Sequence, residues 1–182
     1  MKPRGEDIIT TAEEVLGAVV KERRAKPKPR PYIFIDTREQ RPLRFAPGLG
    51  VDCGVAKLDV GDYSVRGFSH LFVAERKSLA DLVQSLSHER ERFEDELRIM
   101  QQYPWPIIVV EARQDEAEIG AYRSLMVPRA VIGSLDAIWM KYAIPTRWCG
   151  NPAGAAEYIA WVARRLHAKH ADQRVEPEKE SA

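Results

Sequence analysis

The 182-residue chain has only two cysteines, Cys53 and Cys149, far apart and in no Cys-x-x-Cys or Cys/His spacing. That shortage excludes a disulfide-stapled scaffold and a structural zinc site, and it predicts a reducing, cytoplasmic setting. Long apolar runs are missing too. Stretches such as Val15 to Val20 fall far short of the roughly 18 residues that span a bilayer. The opening Met-Lys-Pro-Arg-Gly-Glu-Asp leads into no signal-peptide core. No glycine-rich phosphate loop and no internal repeat are present, which removes the usual signatures of nucleotide binding and of solenoids. Excess charge of one sign is also absent: 28 Lys+Arg stand against 27 Asp+Glu, a formal net charge of +1. Taken alone, this balance argues against nucleic-acid binding through bulk positive charge. What is present is ordinary for a folded domain, 45% hydrophobic and 30% charged residues. A core of roughly 150 residues buries about 70% of its unfolded surface and stands without staples.

Residues 1–31 read as an appendage. Thr11-Ala-Glu-Glu14 is a capping box for a helix over Ala12 to Arg24. Lys21 to Arg30 then concentrates basic residues, with Pro27, Pro29 and Pro31 at alternate positions. Alternating proline forbids a helix and predicts an extended, solvated linker over 25–31. Residues 171–182 read as a flexible acidic tail. Between them, Tyr32 to Asp36 predicts a buried strand ending in a carboxylate. Val55 to Val65 is strand-like with a break at Gly61-Asp62, and Leu71 to Glu75 is a further strand. Ser78-Leu-Ala-Asp81 is a second capping box, opening a helix through Leu86, and another helix covers about 88–102. Ile107 to Glu111 is a fully apolar strand ending in an acid. Pro128 opens a helix whose face is Val131, Leu135, Ile138 and Tyr142, Pro145 to Trp148 forms a short strand, and Asn151-Pro152 starts a final helix. Strands alternating with helices predict an α/β architecture, a mixed sheet flanked by helices. Burial on both faces accounts for the continuous apolar runs at 32–35 and 107–110.

The charged residues inside this core are the informative ones. In a strand, side chains at i and i+2 share a face, so Glu75 and Lys77 point together, about 7 Å apart along the chain, and Arg76 points the other way. A hairpin between Asp62 and Glu75 sets two carboxylates side by side, where they repel unless a cation lies between them. Hard oxygen ligands of this kind suit Mg²⁺ or Mn²⁺, with waters and a substrate phosphate completing the shell. A lysine beside such an ion orients a water or stabilises charge on phosphate. An Asp…Glu-x-Lys set is therefore chemically coherent as a phosphodiester-hydrolysing site, though that spacing alone is common in charged proteins.

The larger pattern is more specific. Gly61-Asp62, twelve residues, then Glu75-Arg76-Lys77-Ser-Leu-Ala-Asp81 resembles the GD…ERKxxxD signature of the XPF-type structure-specific nucleases. Ile35-Asp36-Thr37-Arg38-Glu39 resembles that family's strand-ending D-x-R-E motif. The resemblance runs from about Tyr32 to Leu166. It implies a restriction-endonuclease-like core, a central mixed β-sheet with flanking helices, over a nuclease domain at 32–170. It implies Asp62 and Glu75 as principal metal ligands, Asp36 as a further carboxylate at the metal or its water shell, and Lys77 at the attacking water or the transition-state charge. Arg76 and Asp81 belong to the same signature, the arginine clamping phosphate or holding the acidic cluster in place. Arg38 is a possible DNA contact, as are Arg90 and Arg92 on the helix that follows. Ala74 departs from the Val or Ile usual before ERK. Many relatives carry a tandem helix-hairpin-helix module after the nuclease domain. No such module follows here, so DNA-structure recognition is expected from the core, the basic arm, a partner protein or a homodimer.

Local explanations stand beside each of these. Gly61-Asp62 is also an ordinary turn, Asp81 is the N3 acid of a capping box, Asp36 ends a strand, and buried arginines commonly pair with neighbouring acids. Ser87 to Arg98 reads as a solvated helix face with i,i+4 pairs. His167 and His170 have no cysteine near them and do not suggest a metal site. Trp105, Trp139, Trp148 and Trp161 read as core or interface, and a second apolar face on the final helix (Tyr158, Trp161, Val162) points to a homodimer contact. Taken together, the expected function is a Mg²⁺- or Mn²⁺-dependent DNA endonuclease acting on branched or flap structures in repair, recombination or a mobile element. The expected location is the cytoplasm, at the nucleoid of a prokaryote or phage. The competing reading is a non-catalytic DNA-binding or scaffold subunit on the same fold. The near-zero net charge does not conflict with DNA binding, because it sums acids gathered at a metal site and a basic arm at 21–30.

Overall fold

The computed structural model describes residues 30–171. The helix expected at 12–24, most of the linker at 25–31 and the tail from 172 onward lie outside the described residues. Six strands form one sheet: β1 (Tyr32–Asp36), β2 (Asp52–Ala56), β3 (Tyr63–Val65), β4 (Phe72–Lys77), β5 (Trp105–Val110) and β6 (Thr146–Trp148). Their order is β2-β1-β3-β4-β5-β6. The sheet is mixed: β1 with β2, β4 with β5 and β5 with β6 are parallel, while β3 is antiparallel to both β1 and β4. The helices are α1 (Leu79–Leu86), α2 (Arg90–Met100), α3 (Gln114–Glu118), α4 (Pro128–Tyr142) and α5 (Pro152–Ala171). Sheet and helices form the restriction-endonuclease-like core. Among the described residues no helix is long and apolar enough to cross a membrane.

Two cores lie on the two faces of the sheet. One packs α1, α2 and α4 against Val73 of β4 and Ile108 and Val110 of β5. The other packs α5, through Ala155, Ile159, Ala160 and Ala163, against Ile33, Ile35, Tyr63, Val65, Ala74 and Val109. Every residue of β5 after Trp105 is buried, as its apolar run predicts for a parallel strand covered on both sides. In β1 only Ile33 and Ile35 are buried among the apolar residues; Tyr32 and Phe34 are half-buried. The reason is coverage: the first core contains no side chain of β1 or β2, so that face of β1 is not roofed by helices.

The stretch from Val55 to Val65 is not one interrupted strand. Val55 belongs to β2 and Val65 to β3, on opposite sides of β1. The intervening loop crosses the end of β1, held there by Asp36, whose Oδ2 accepts from the Leu58 N–H at 2.7 Å. The short α3 and the 3₁₀ turn Pro47–Leu49 carry no apolar periodicity to announce them. Elsewhere the expected caps are in place. The Ser78 hydroxyl accepts from the Asp81 N–H at 3.2 Å at the start of α1, and prolines open both α4 and α5.

Candidate active site

The site lies where β1, β3 and β4 meet. Gly61 turns the chain into β3 with φ 72°, a left-handed conformation that favours glycine. A Cβ there would lie 2.5 Å from Val73 Cγ2 and 3.1 Å from the Ala74 carbonyl oxygen, so the position is closed to side chains on both counts. This turn places Asp62 between two strands. Its N–H donates to Ala74 O at 2.9 Å and its carbonyl accepts from the Asp36 N–H at 2.8 Å. Its carboxylate Oδ2 accepts from the Arg76 N–H at 2.8 Å.

Across the hairpin, period-two alternation puts Val73, Glu75 and Lys77 on one face of β4. Glu75 is only 4% exposed. Its Oε1 accepts from Lys77 Nζ at 2.7 Å, and its Oε2 finds no donor among the described residues and has the Glu96 carboxyl beside it. Burial pushes Asp62 up to about 7, with repulsion from Glu75 adding to it against the opposing Arg76 N–H. Burial also pushes Glu75 up, opposed by Lys77 and reinforced by Glu96 of α2. Burial works against the charge on Lys77, but Glu75 more than offsets this and holds it above its usual value. The 2.7 Å contact is that of an ion pair, and the aromatic ring of Phe93, with its centroid 4.9 Å from Nζ, closes the other side.

Arg76 points to the opposite face, as alternation predicts. Its Nη1 lies 2.9 Å from Glu111 Oε1, an ion pair rather than an aligned hydrogen bond, and its Nε and Nη2 donate to Glu39 at 3.1 and 3.2 Å. All three side chains are nearly buried, at 13, 7 and 6% exposure. Burial alone would lower the basicity of Arg76, and the two carboxylates raise it above the ordinary value. The guanidinium therefore braces the end of the sheet, and Arg76 and Glu39 line the same cleft as Asp62 and Glu75.

The remaining predicted residues fall in different places. Both Asp36 oxygens are engaged, Oδ2 by Leu58 N–H and Oδ1 by the N–H and Nε of Arg38, the latter at 2.6 Å. Burial works against the charge on Asp36, yet these donors hold it below the usual carboxylate range. Asp36 does not line the cleft that contains Asp62, Glu75 and Lys77; Arg38, Asp81 and Arg92 do. Asp81 is exposed and accepts from the Ser78 hydroxyl at 2.7 Å. Arg92 pairs with Glu89 at the rim. Arg90 turns to Glu94 at 3.1 Å and does not line the cleft.

Sequence reasoning assigned no role to Glu111 and Glu96. Glu111 was legible in principle, because β4 and β5 run parallel in register, Lys77 opposite Val110, and parallel strands gather their C-terminal residues at one edge. Glu96 had no such signal, since its neighbours on α2 are an ordinary solvated charge pattern.

The cleft has a volume of about 470 Å³. Among the described residues no three acidic, histidine or cysteine side chains form a ready-made metal cage. Yet the donor set fits a hard divalent cation: two neighbouring carboxylates that repel each other, one with a buried oxygen lacking a donor, and an open side where waters and phosphate oxygens would complete the shell.

Comparisons with known proteins identify the family and the fold. The ERCC4 domain matches residues 35–161. XPF from Aeropyrum pernix superposes with a TM-score of 0.65 at 25% identity, over 82% of this chain and 67% of that one. A second structure, of XPF from Aeropyrum pernix in complex with DNA, matches with a TM-score of 0.60 at 25% identity, over 83% and 70%. No curated protein sequence matches the chain. With the family match spanning most of its length and the same fold in solved relatives, this chain belongs to the ERCC4 domain family, and its core is an XPF-type nuclease domain.

Proposed function

We propose that residues 32–170 form a metal-dependent DNA endonuclease that hydrolyses phosphodiester bonds, with branched or flap structures as substrates. The observation that carries this reading is Glu75: a buried carboxylate with one oxygen on Lys77 and the other without a donor, close enough to Asp62 for the two to repel. A scaffold subunit has no use for such an unfavourable arrangement. Asp62 and Glu75 would hold Mg²⁺ or Mn²⁺. When bound, the ion would activate a water and neutralise charge on the phosphate. Lys77 keeps a proton at Nζ, from which it donates to the attacking water or to a phosphate oxygen. The Arg76 N–H orients Asp62, and its side chain fixes Glu39 and Glu111. We assign Asp36 to bracing Arg38 and the 57–60 loop, and Arg38 and Arg92 to the DNA at the cleft mouth. Cleavage of labelled flap, fork and duplex DNA with Mg²⁺ or Mn²⁺ tests this reading. Activity that survives in Asp62→Asn would overturn the site, and binding without cleavage under either metal would favour the scaffold.

Metal affinity should depend on pH. Asp62 must lose its proton to ligate, and it titrates near 7. Mn²⁺ affinity measured by calorimetry is expected to rise by up to about tenfold per pH unit below 7 and to level off above it. Without metal, Asp62 holds its proton more tightly folded than unfolded. Its contribution to stability is therefore fully present below pH 4 and is lost as pH rises through 7. Asp62→Asn should remove that part of the pH dependence in metal-free thermal melts.

We further propose a homodimer through the β5–α5 surface. Trp105 and Trp161 are 39 and 47% exposed there, and they flank an apolar depression of about 410 Å³ with Tyr158 and Val162. Light scattering at micromolar concentration should give twice the chain mass, and Trp161→Glu should give a monomer; a wild-type monomer would overturn the assignment.

A further inference from the structure

The face of the sheet left unroofed over β1 and β2 carries an aromatic platform. The Tyr32 and Phe34 rings meet edge to face with centroids 5.8 Å apart. The Arg66 guanidinium lies 3.6 Å from the Tyr32 centroid and 5.4 Å from that of Phe34. Arg66 is exposed, and among the described residues no carboxylate pairs with it. Gly54 of β2 gives the Tyr32 ring its place: any Cβ there would meet the Tyr32 hydroxyl at 2.1 Å. From this platform a groove of about 710 Å³ runs over Phe34, Ser64 and Val73 to Ile99 of α2 and to Tyr103 just past that helix. Lys57 and His70 stand at its rim, with Asp59 the one acid in its lining among the described residues.

The groove is on the catalytic face, because Val73 shares its side of β4 with Glu75 and Lys77. It also adjoins the catalytic cleft. Arg38 lines the cleft, and its Nη2 donates at 3.1 Å to the carbonyl of Leu58, a groove residue. Half-buried aromatic rings on a sheet, an unpaired arginine stacked on them and basic side chains at the rim are the elements that bind unpaired nucleobases, which stack on such rings while their phosphates meet the cations. Paired bases offer no free face for this.

We propose that this platform is a subsite for a single-stranded arm of the substrate, with Tyr32 and Phe34 stacking bases and Arg66 and Lys57 meeting phosphates. The proposal rests on the reading of the chain as a DNA-cutting protein and names the part of the substrate that leaves the cleft.

Photo-crosslinking with an oligothymidylate carrying 5-iodouracil, using the full chain without metal, tests this independently of cleavage. Adducts are expected at Tyr32 or Phe34. In parallel, Tyr32→Leu and Arg66→Glu should each weaken binding of the same oligonucleotide by about tenfold, while Tyr32→Phe, which keeps the ring, should bind like wild type. Thermal melts identify a variant that has not folded, and the crosslink on wild type stands regardless of that outcome. Adducts confined to other residues, or affinity unchanged in both variants, would overturn the subsite. Variants that bind the oligonucleotide normally but change the chain's mass in solution would assign the platform to a protein contact and overturn it too. Crosslinks at the platform in a chain that cuts no DNA would leave the subsite standing and remove the nuclease reading.

Discussion

Replacing Glu75 with alanine is expected to lower DNA cleavage by about a thousandfold or more, with DNA binding largely retained. The loss combines two effects. On the proposed reading a carboxylate that would hold the divalent ion is gone, and Lys77 loses the anion 2.7 Å away that fixes and charges it. Without metal the alanine variant should also lose stability, because Lys77 is left buried without its anion. Glu75→Gln separates the two effects, since it keeps the volume and a hydrogen-bond acceptor but not the charge. If the glutamine variant cuts nearly as fast as wild type, the carboxylate is not a metal ligand. If the alanine variant unfolds, the assignment is tested on the glutamine variant alone.

Arg76→Met is expected to be the most destabilising single change at this site. It removes the cation that Glu39 and Glu111, both nearly buried, share, and a buried charge left without its partner costs about 3–5 kcal/mol. Urea or thermal denaturation should show that loss. Combining Arg76→Met with Glu39→Gln and Glu111→Gln should recover most of it, because what destabilises the single variant is the stranded charge rather than the missing arginine contacts. In the triple variant cleavage should remain impaired if the triad positions Asp62 and Glu75, and should return if Arg76 serves stability alone. A single variant as stable as wild type would show that the ion pairs are solvated and contribute little.

Much of the fold was legible because hydrophobic period and capping chemistry are local properties. The Ser78 capping box, Pro128 and Pro152 at helix starts, and the unbroken apolar run of β5 all mark elements found in the structure. The pairing of Val55 and Val65 with different neighbours was not legible, since nothing in a six-residue loop tells whether the chain turns back on itself or passes over β1. Tyr32 and Phe34 were misjudged as doubly buried for a related reason: an apolar run shows that burial is possible, while coverage depends on where the helices end.

The site divides along the same line. Alternation within β4 and the Gly61-Asp62 turn are short-range constraints, so residue order alone puts Glu75 and Lys77 on one face, sets Arg76 opposite them and lets Asp62 reach them. Which charges answer one another was settled by the packing of distant segments. It turned Asp36 toward Leu58 and Arg38, and it closed Arg76 between Glu39 and Glu111. It also set the platform of Tyr32, Phe34 and Arg66 beside the cleft. The physical reason is that a carboxylate's role depends on the donors and the burial around it, and those are supplied by strands and loops distant in the chain.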